Sequence, residues 1–372
     1  MNKFLVPKIR FKGFNDEWKK YKINEIYKLK RGCVISKEIL SKNKEANFFL
    51  VYSSQTSNNG IMGWTNSYLF EKNKIIWTTD GANAGTIRFV NEKFYASNVC
   101  GVLIGKKDHY NNYSFAISIN LEAKKHVNKN GNPKLMNNIM GNINFYNSKS
   151  KNEQTKVAQF FTIIDKKIEL VKEQLSLLAK QKQYYLNNMF ANEKGYPKIR
   201  FKGFNDEWES KKIGEILKIK HGKNQSKIEI DNGKYPILGT GGIIGKTNTP
   251  IYQYESVLIG RKGTIDKPQF MDSPFWTVDT LFYSIIKSNA YPRFIYYLFQ
   301  TINWKKYNES TGVPSLTSFI IENIEIFTSL NYKEQNLIGQ FFSIIDRKIE
   351  LVKEQLSLLA KQKQYYLNNM FI

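Results

Sequence analysis

Two stretches of this sequence place glycine beside side chains that reach a phosphate or a base edge. DGANAG at 80–85 is followed by Arg88, and GRKG at 260–263 presents Arg261 and Lys262. Glycine lets a backbone approach a ligand closely. Arg and Lys reach guanine O6 and N7 or a phosphate oxygen. On this reasoning Trp64, Asn83, Arg88, Lys246, Arg261 and Lys262 are the candidate nucleic-acid contacts. Each has a plain alternative as a residue of an ordinary hairpin turn with a solvated side chain. The signals for catalysis fail. GTGGIIGKT at 239–247 resembles a phosphate loop, but the spacing to GKT needs glycine where Thr240 stands. The same stretch misses GxGxxG because Ile244 fills the last glycine position. HExxH, GxSxG and the NPPY or DPPY signature for methylating an adenine amine are all missing. Cys33, Cys100, His109, His126 and His221 are scattered and too few for a four-ligand zinc site without carboxylates. The sequence therefore reads as carrying no catalytic, cofactor or metal residue of its own.

The loops must be held by elements that occur twice. PKIRFKGFNDEW at 7–18 returns unchanged at 197–208. KIELVKEQLSLLAKQKQYYLNNMF at 167–190 returns at 348–371. Between these anchors NNGIMGWTN at 58–66 resembles TGGIIGKTN at 240–248, AGTI at 84–87 resembles KGTI at 262–265, and GNPKL at 131–135 matches GVPSL at 312–316, a recurring turn. The chain is a tandem duplication, each copy ordered as entry motif, variable body and helix. The bodies read as mixed α/β. In the second, 234–242, 256–260 and 275–286 have strand composition, and 293–304 reads as a helix started by Pro292. In the first, 47–54, 74–79 and 98–105 correspond.

The repeated helix shows a heptad stripe. Ile164, Ile168, Val171, Leu175, Leu178, Lys182, Tyr185 and Met189 are spaced alternately by four and three, with Lys182 the one polar insertion. The second copy repeats the stripe from Ile345 to Met370. A narrow stripe present in two identical copies suits helix against helix better than helix against its own body. The heptads alone leave parallel and antiparallel pairing open. The connectivity favours antiparallel pairing, which would set the bodies roughly 40 Å apart, the length of 26 residues at about 1.5 Å each. One turn of B-DNA is about 34–36 Å.

The 372 residues carry 56 Lys+Arg against 32 Asp+Glu, a net charge of +24. That surplus attracts polyanions, with nucleic acid the first candidate. The bodies differ: 19–150 hold 20 basic and 8 acidic side chains, whereas 209–330 hold 15 and 11. One framework with different side chains on it fits two modules doing the same job on different targets. No run approaches the length of a membrane span, MNKFLVPK is too short in apolar residues for a signal peptide, and two distant cysteines fit a reducing cytoplasm.

These motifs carry a family likeness over essentially the whole chain. The PKIRF and FNDEW entry strings, GTI and FWTVDTLF in the second body, and the helix entries EQTKVAQFFTIIDKKIEL at 153–170 and EQNLIGQFFSIIDRKIEL at 334–351 resemble the DNA-specificity subunit of type I restriction–modification systems. The resemblance implies two target-recognition domains related by pseudo-two-fold symmetry and separated by an antiparallel coiled coil of two long conserved helices. The expected boundaries are 1–150 for the first domain, 151–190 for the first helical region, 191–331 for the second domain and 332–372 for the second helical region. It also implies a bacterial, cytoplasmic, DNA-associated and non-enzymatic chain. Each domain would read half of a split, asymmetric site in double-stranded DNA. The chain would recruit two modification subunits that use S-adenosylmethionine to methylate adenine N6, with a motor and nuclease subunit joining for cleavage. Phe160, Phe161, Phe341 and Phe342 are the expected docking residues, with burial in a core as their alternative. The rival readings are a tandem coiled-coil adaptor that binds acidic proteins without reading sequence and, more remotely, a nuclease with an unusual site.

Overall fold

The computed structural model describes residues 5–55, 58–191 and 195–372. Residues 1–4, part of the MNKFLVPK stretch read above for a signal peptide, lie outside the described residues. The chain forms two compact units, Met1–Leu170 with Leu356–Ile372, and Val171–Gln355. The first body contains β1 (Lys19–Lys22), α1 (Ile23–Ile26), β2 (Tyr27–Arg31), β3 (Phe49–Tyr52), β4 (Ile61–Thr65), β5 (Lys74–Thr78), β6 (Ile87–Val90), β7 (Phe94–Ala96), β8 (Cys100–Gly105), α2 (Tyr113–Ala123), α3 (Asn137–Asn142) and β9 (Asn144–Asn147). The long helix α4 (Lys151–Met189) follows. The second body repeats the series as β10 (Glu209–Lys212), α5 (Ile213–Ile216), β11 (Leu217–Lys220), β12 (Tyr235–Gly239), β13 (Gly242–Thr247), β14 (Ser256–Gly260), β15 (Gln269–Met271), β16 (Trp276–Thr277), β17 (Leu281–Ile286), α6 (Pro292–Thr301), α7 (Ser318–Asn323) and β18 (Glu325–Thr328), followed by α8 (Tyr332–Met370).

The duplication extends to hydrogen-bond register. The first body has sheets ordered β2-β8-β5-β6 and β4-β3-β7 and the ribbon β1-β9; the second has β11-β17-β14-β15, β13-β12-β16 and β10-β18. β3 and β12 each pair in parallel with the strand that follows the larger sheet's edge, β7 and β16. Both hairpins slip register at the same step, Val51/Tyr52 and Ile237/Leu238. The central strands β5 and β14 read as unbroken apolar runs because they are buried on both faces. Trp77, Leu103, Phe115 and Phe145 fill the first core, and Ile259, Phe282, Phe294 and Trp304 the second.

Two expected elements differ. The 275–286 stretch is two strands, because a turn at Asp279–Thr280 sends it from one sheet to the other: Val278 N–H donates to Leu238 O and Leu281 N–H to Val278 O, each at 3.0 Å. The expected helix to 304 ends at Thr301, and a short turn at Trp304–Tyr307 follows, with the Trp304 indole donating to Phe299 O.

The entry motifs lock bodies to helices. Arg10 holds Glu153 in the first turn of α4 by two hydrogen bonds of 2.6 and 2.8 Å. Arg200 holds Glu334 of α8 at 2.6 and 3.0 Å. Both carboxylates are fully buried, and their charge suits a helix N-terminus. Ser329 Oγ and the Trp208 indole also donate to Glu334. The neighbouring glutamines, Gln154 and Gln335, donate to Ser148 O and Ser329 O. The same motifs serve carbonyls at helix ends that have no partner inside the helix: Ile9 N–H donates to Asn369 O within the first unit, and Ile199 N–H to Asn188 O within the second.

The heptad stripe is a buried seam in each unit. In the first, Lys363 of α8 pairs with Asp165 of α4, which also accepts from Tyr113 OH of α2, and Phe160 meets Tyr366 edge-on. In the second, Lys182 Nζ lies 2.7 Å from Asp346 Oδ1, Tyr297 OH donates to Asp346 at 2.9 Å, and Tyr185 meets Phe341. In both units a higher number on one helix faces a lower number on the other, so the segments run antiparallel. Burial first, and the adjacent carboxylate second, raise the pKa of Tyr113, and burial chiefly raises that of Tyr297. Phe161 and Phe342 are fully buried, packed on Phe371 and on Phe190 and Tyr297. They form core and offer no surface to a partner, while Phe160 and Phe341 are half-buried in the seam.

Replacing Arg200 with Met should cost about 3–5 kcal/mol in chemical denaturation, because Glu334 would stay buried without its counter-charge. The double change Arg200→Met with Glu334→Leu should recover most of that loss. Equal destabilisation of single and double variants would remove the ion pair as the anchor.

Candidate nucleic-acid interface

In each body three segments converge. The first is the hairpin turn between β3 and β4, or between β12 and β13. The second is the glycine loop after β5 or β14. The third is the loop carrying GNPKL or GVPSL, called the GxP loop below. The second and third pair by backbone. In the first body Gly81 N–H donates to Pro133 O at 2.9 Å and Leu135 N–H to Thr79 O at 2.8 Å. In the second, Gly263 N–H donates to Pro314 O at 2.8 Å and Leu316 N–H to Arg261 O at 2.9 Å. The turn therefore expected at GNPKL is half of a two-loop platform in both bodies.

The hairpin turn is fastened to this platform by different chemistry in each body. In the second, Gln269 of β15 donates its amide to Gly239 O and Thr240 O, at 3.0 and 3.3 Å. Arg88 occupies the matching place on β6, since Ile76 faces Arg88 as Leu258 faces Gln269. Its guanidinium lies against Gly60, where an added Cβ would fall 2.7 Å from Cζ, and Nη1 donates to Thr78 Oγ1. Gly60 has φ +83°, a conformation that glycine adopts without strain. Burial lowers the Arg88 pKa. Asn83 donates its side-chain amide to Ser54 O, again joining glycine loop to hairpin.

The expected contacts therefore separate into two kinds. Asn83 and Arg88 brace the loops from within. Lys246 and Lys262 are exposed, and Arg261 is half-buried with Nη1 donating to Asp279 O. Trp64 and Lys246 are structural counterparts, facing Leu50 and Pro236 on their hairpins, with Trp64 half-buried. Around the second body's loops stand apolar side chains the motif reading passed over: Ile243, Ile244 and Val313 are 69, 51 and 63 % exposed. Apolar side chains beside cations suit a base edge, a thymine methyl included. Among the described residues no group of three or more His, Cys, Asp or Glu is placed to hold a metal.

The family Type I restriction modification DNA specificity domain matches this chain twice, at residues 15–180 and 205–361. The chain belongs to that family. A putative type I specificity subunit of Mycoplasma pneumoniae is 26 % identical over 363 residues, which is 94 % of this chain and 96 % of that protein. Another from the same organism, designated an N-terminus, is 40 % identical over 148 residues, covering 40 % of this chain and 76 % of its own. The crystal structure of a type I restriction–modification S subunit from M. genitalium shares the fold, with TM-score 0.78, 18 % identity and 99 % of each chain covered. No helix among the described residues is long and apolar enough to cross a membrane.

This specificity-family chain carries a second apolar row on its long helices. Ile163, Leu170, Leu177 and Tyr184 of α4 recur every seven residues, as do Ile344, Leu351, Leu358 and Tyr365 of α8, and all are 47–65 % exposed. The register that sets Asp165 against Lys363 brings Ile163 opposite Tyr365 and Leu170 opposite Leu358 in the first unit. In the second, the Lys182–Asp346 register brings Leu177 opposite Leu351 and Tyr184 opposite Ile344. Each unit thus presents one four-residue apolar patch beside its seam. A groove of about 460 Å³ lined by Phe89, Tyr113, Gln159 and Ile163 adjoins the first, and one of about 480 Å³ lined by Tyr291, Gln340, Ile344 and Arg347 adjoins the second. The spacing of seven was open to view in the sequence, but the seam one position away absorbed it.

Replacing Gln269 with Leu removes both bonds to the hairpin turn, at roughly 1 kcal/mol each. Hydrogen exchange of the Gly241 and Gly242 amides should accelerate while the helices keep their protection. Unchanged exchange at the turn would show that something else fastens it.

Proposed function

We propose that this chain is the DNA-reading, non-enzymatic subunit of a type I restriction–modification complex. Each body reads one half of a bipartite, asymmetric site in double-stranded DNA. The observation that supports this best is the repeated three-loop cluster: one backbone framework, duplicated to the register slip, bearing different polar, basic and apolar side chains. Phosphate contacts position such a module and the loop side chains choose the bases. The net charge of +24 supplies the salt-dependent attraction.

The paired apolar patches fit two modification subunits, one to each unit, which would carry S-adenosylmethionine and methylate adenine N6. A motor and nuclease subunit would join that complex for cleavage. Two equivalent patches suit two equivalent partners, and surfaces of this kind mark interaction sites.

Mapping of modified bases on the native chromosome tests the reading. Deleting the gene should abolish methylation at one bipartite adenine motif, and exchanging residues 19–150 for a homologous body should alter one half of that motif. A methylome unchanged by deletion would end the proposal, and an exchange that altered only the partners bound would favour the adaptor. Leu170→Ser with Leu358→Ser should cost about 2–4 kcal/mol of docking and leave a complex with one modification subunit, seen by native mass spectrometry. Full two-subunit assembly by that variant would exclude the patch.

A further inference from the structure

The two GxP loops align without a gap over twelve residues, KKHVNKNGNPKL at 124–135 and KKYNESTGVPSL at 305–316. Their charges do not match. With histidine neutral, the first carries four lysines and no acid; the second carries two lysines and Glu309. Only Lys125 of the first set has a carboxylate partner among the described residues, Glu122 at 2.7 Å, whereas Lys305 of the second is paired with Asp266 at 2.9 Å. Lys124, Lys129 and Lys134 are exposed.

The glycine loops carry the opposite imbalance. In the second body Arg261 and Lys262 occupy the positions next to Gly263. In the first, Thr79 and Asp80 stand there, and Asp80 is taken up by Arg31 at 2.7 Å. Lys134 pairs by backbone with Asp80, as Ser315 does with Lys262. The two loops of each platform thus present one more basic strand and one less basic strand, and the more basic one is exchanged between the bodies.

Resting on the DNA-reading function above, we propose that the first body grips the phosphate backbone through Lys129 and Lys134 of its GxP loop, the task that Arg261 and Lys262 of the glycine loop perform in the second. A two-stranded platform with one cationic row satisfies either arrangement, because its width is set by backbone hydrogen bonds that both bodies share. Phosphodiester is favoured over an acidic protein as the ligand because these lysines stand on the loop whose counterpart carries exposed Val313, a side chain suited to a base edge.

The test is the salt dependence of binding by the full chain, assembled with its modification subunits, to a duplex containing its methylated motif. Lys129→Gln with Lys134→Gln should reduce the slope of log K against log[salt] by about 1.8, at about 0.9 per phosphate contact. The methylated sequence should stay the same. Ser310→Lys with Ser315→Lys in the second body should steepen the slope by a similar amount. An unchanged slope in the folded lysine variant, with thermal melting as the control, would overturn the proposal. So would an unchanged slope with loss of modification-subunit assembly, which would make the loop a protein contact. Failure of the unaltered complex to bind the duplex at all would instead overturn the DNA-reading function.

Discussion

Everything in each unit depends on a buried carboxylate at the first turn of a long helix. Glu153 and Glu334 are charged groups with no access to water, so they are held only while Arg10 and Arg200 face them in two-pronged geometry. The arginine belongs to the entry motif, which leads into the body, and the glutamate belongs to the helix. Body and helix are thereby joined at a point where slippage would strand a charge. The tyrosine of the body helix, Tyr113 or Tyr297, adds a second attachment about three turns further along, at Asp165 or Asp346. Two attachments on one helix fix an angle as well as a position.

That same aspartate settles helix direction. Side by side in parallel register, the identical copies would bring Lys182 against Lys363, two like charges in an apolar seam. Antiparallel, each lysine meets an aspartate already held by a tyrosine. A polar residue at one seam position commonly specifies register at some expense in stability. Here the arrangement was within reach of the sequence, since the aspartate and the lysine lie seventeen residues apart on both copies. The heptad count hid it, because counting apolar positions treats the lysine as an interruption.

Much of the fold was legible because duplication marks equivalent positions without any need for geometry. The central strands, both long helices and the mixed α/β character of the bodies follow from composition and period. The face to which a loop residue points was not legible. Arg88 and Gln269 both have the chemistry of a base contact, yet they hold the same internal place against the same hairpin, a kinship that only strand register discloses. Phe160 and Phe161 are adjacent and alike in type, yet the helix turns one toward the seam edge and seals the other in the core. The mixed backbone of β16 and β17 was missed because a tight turn between two apolar runs leaves no glycine or proline to announce it.

The glycine loop of the first body is one residue longer than its counterpart, seven steps from Gly81 to Arg88 against six from Gly263 to Gln269, and where the lengths diverge is telling. Gly81 docks on Pro133 as Gly263 docks on Pro314, and the two loops differ only afterwards, before the next strand. Strand β6 then resumes in the register of β15. Lengthening a tethered loop adds only a few tenths of a kcal/mol in closure entropy. Insertions and deletions at this point are therefore nearly silent for folding while they reshape the surface offered to a ligand, which makes it a place where evolution can tinker with a lineage's preferences without first having to rebuild the scaffold.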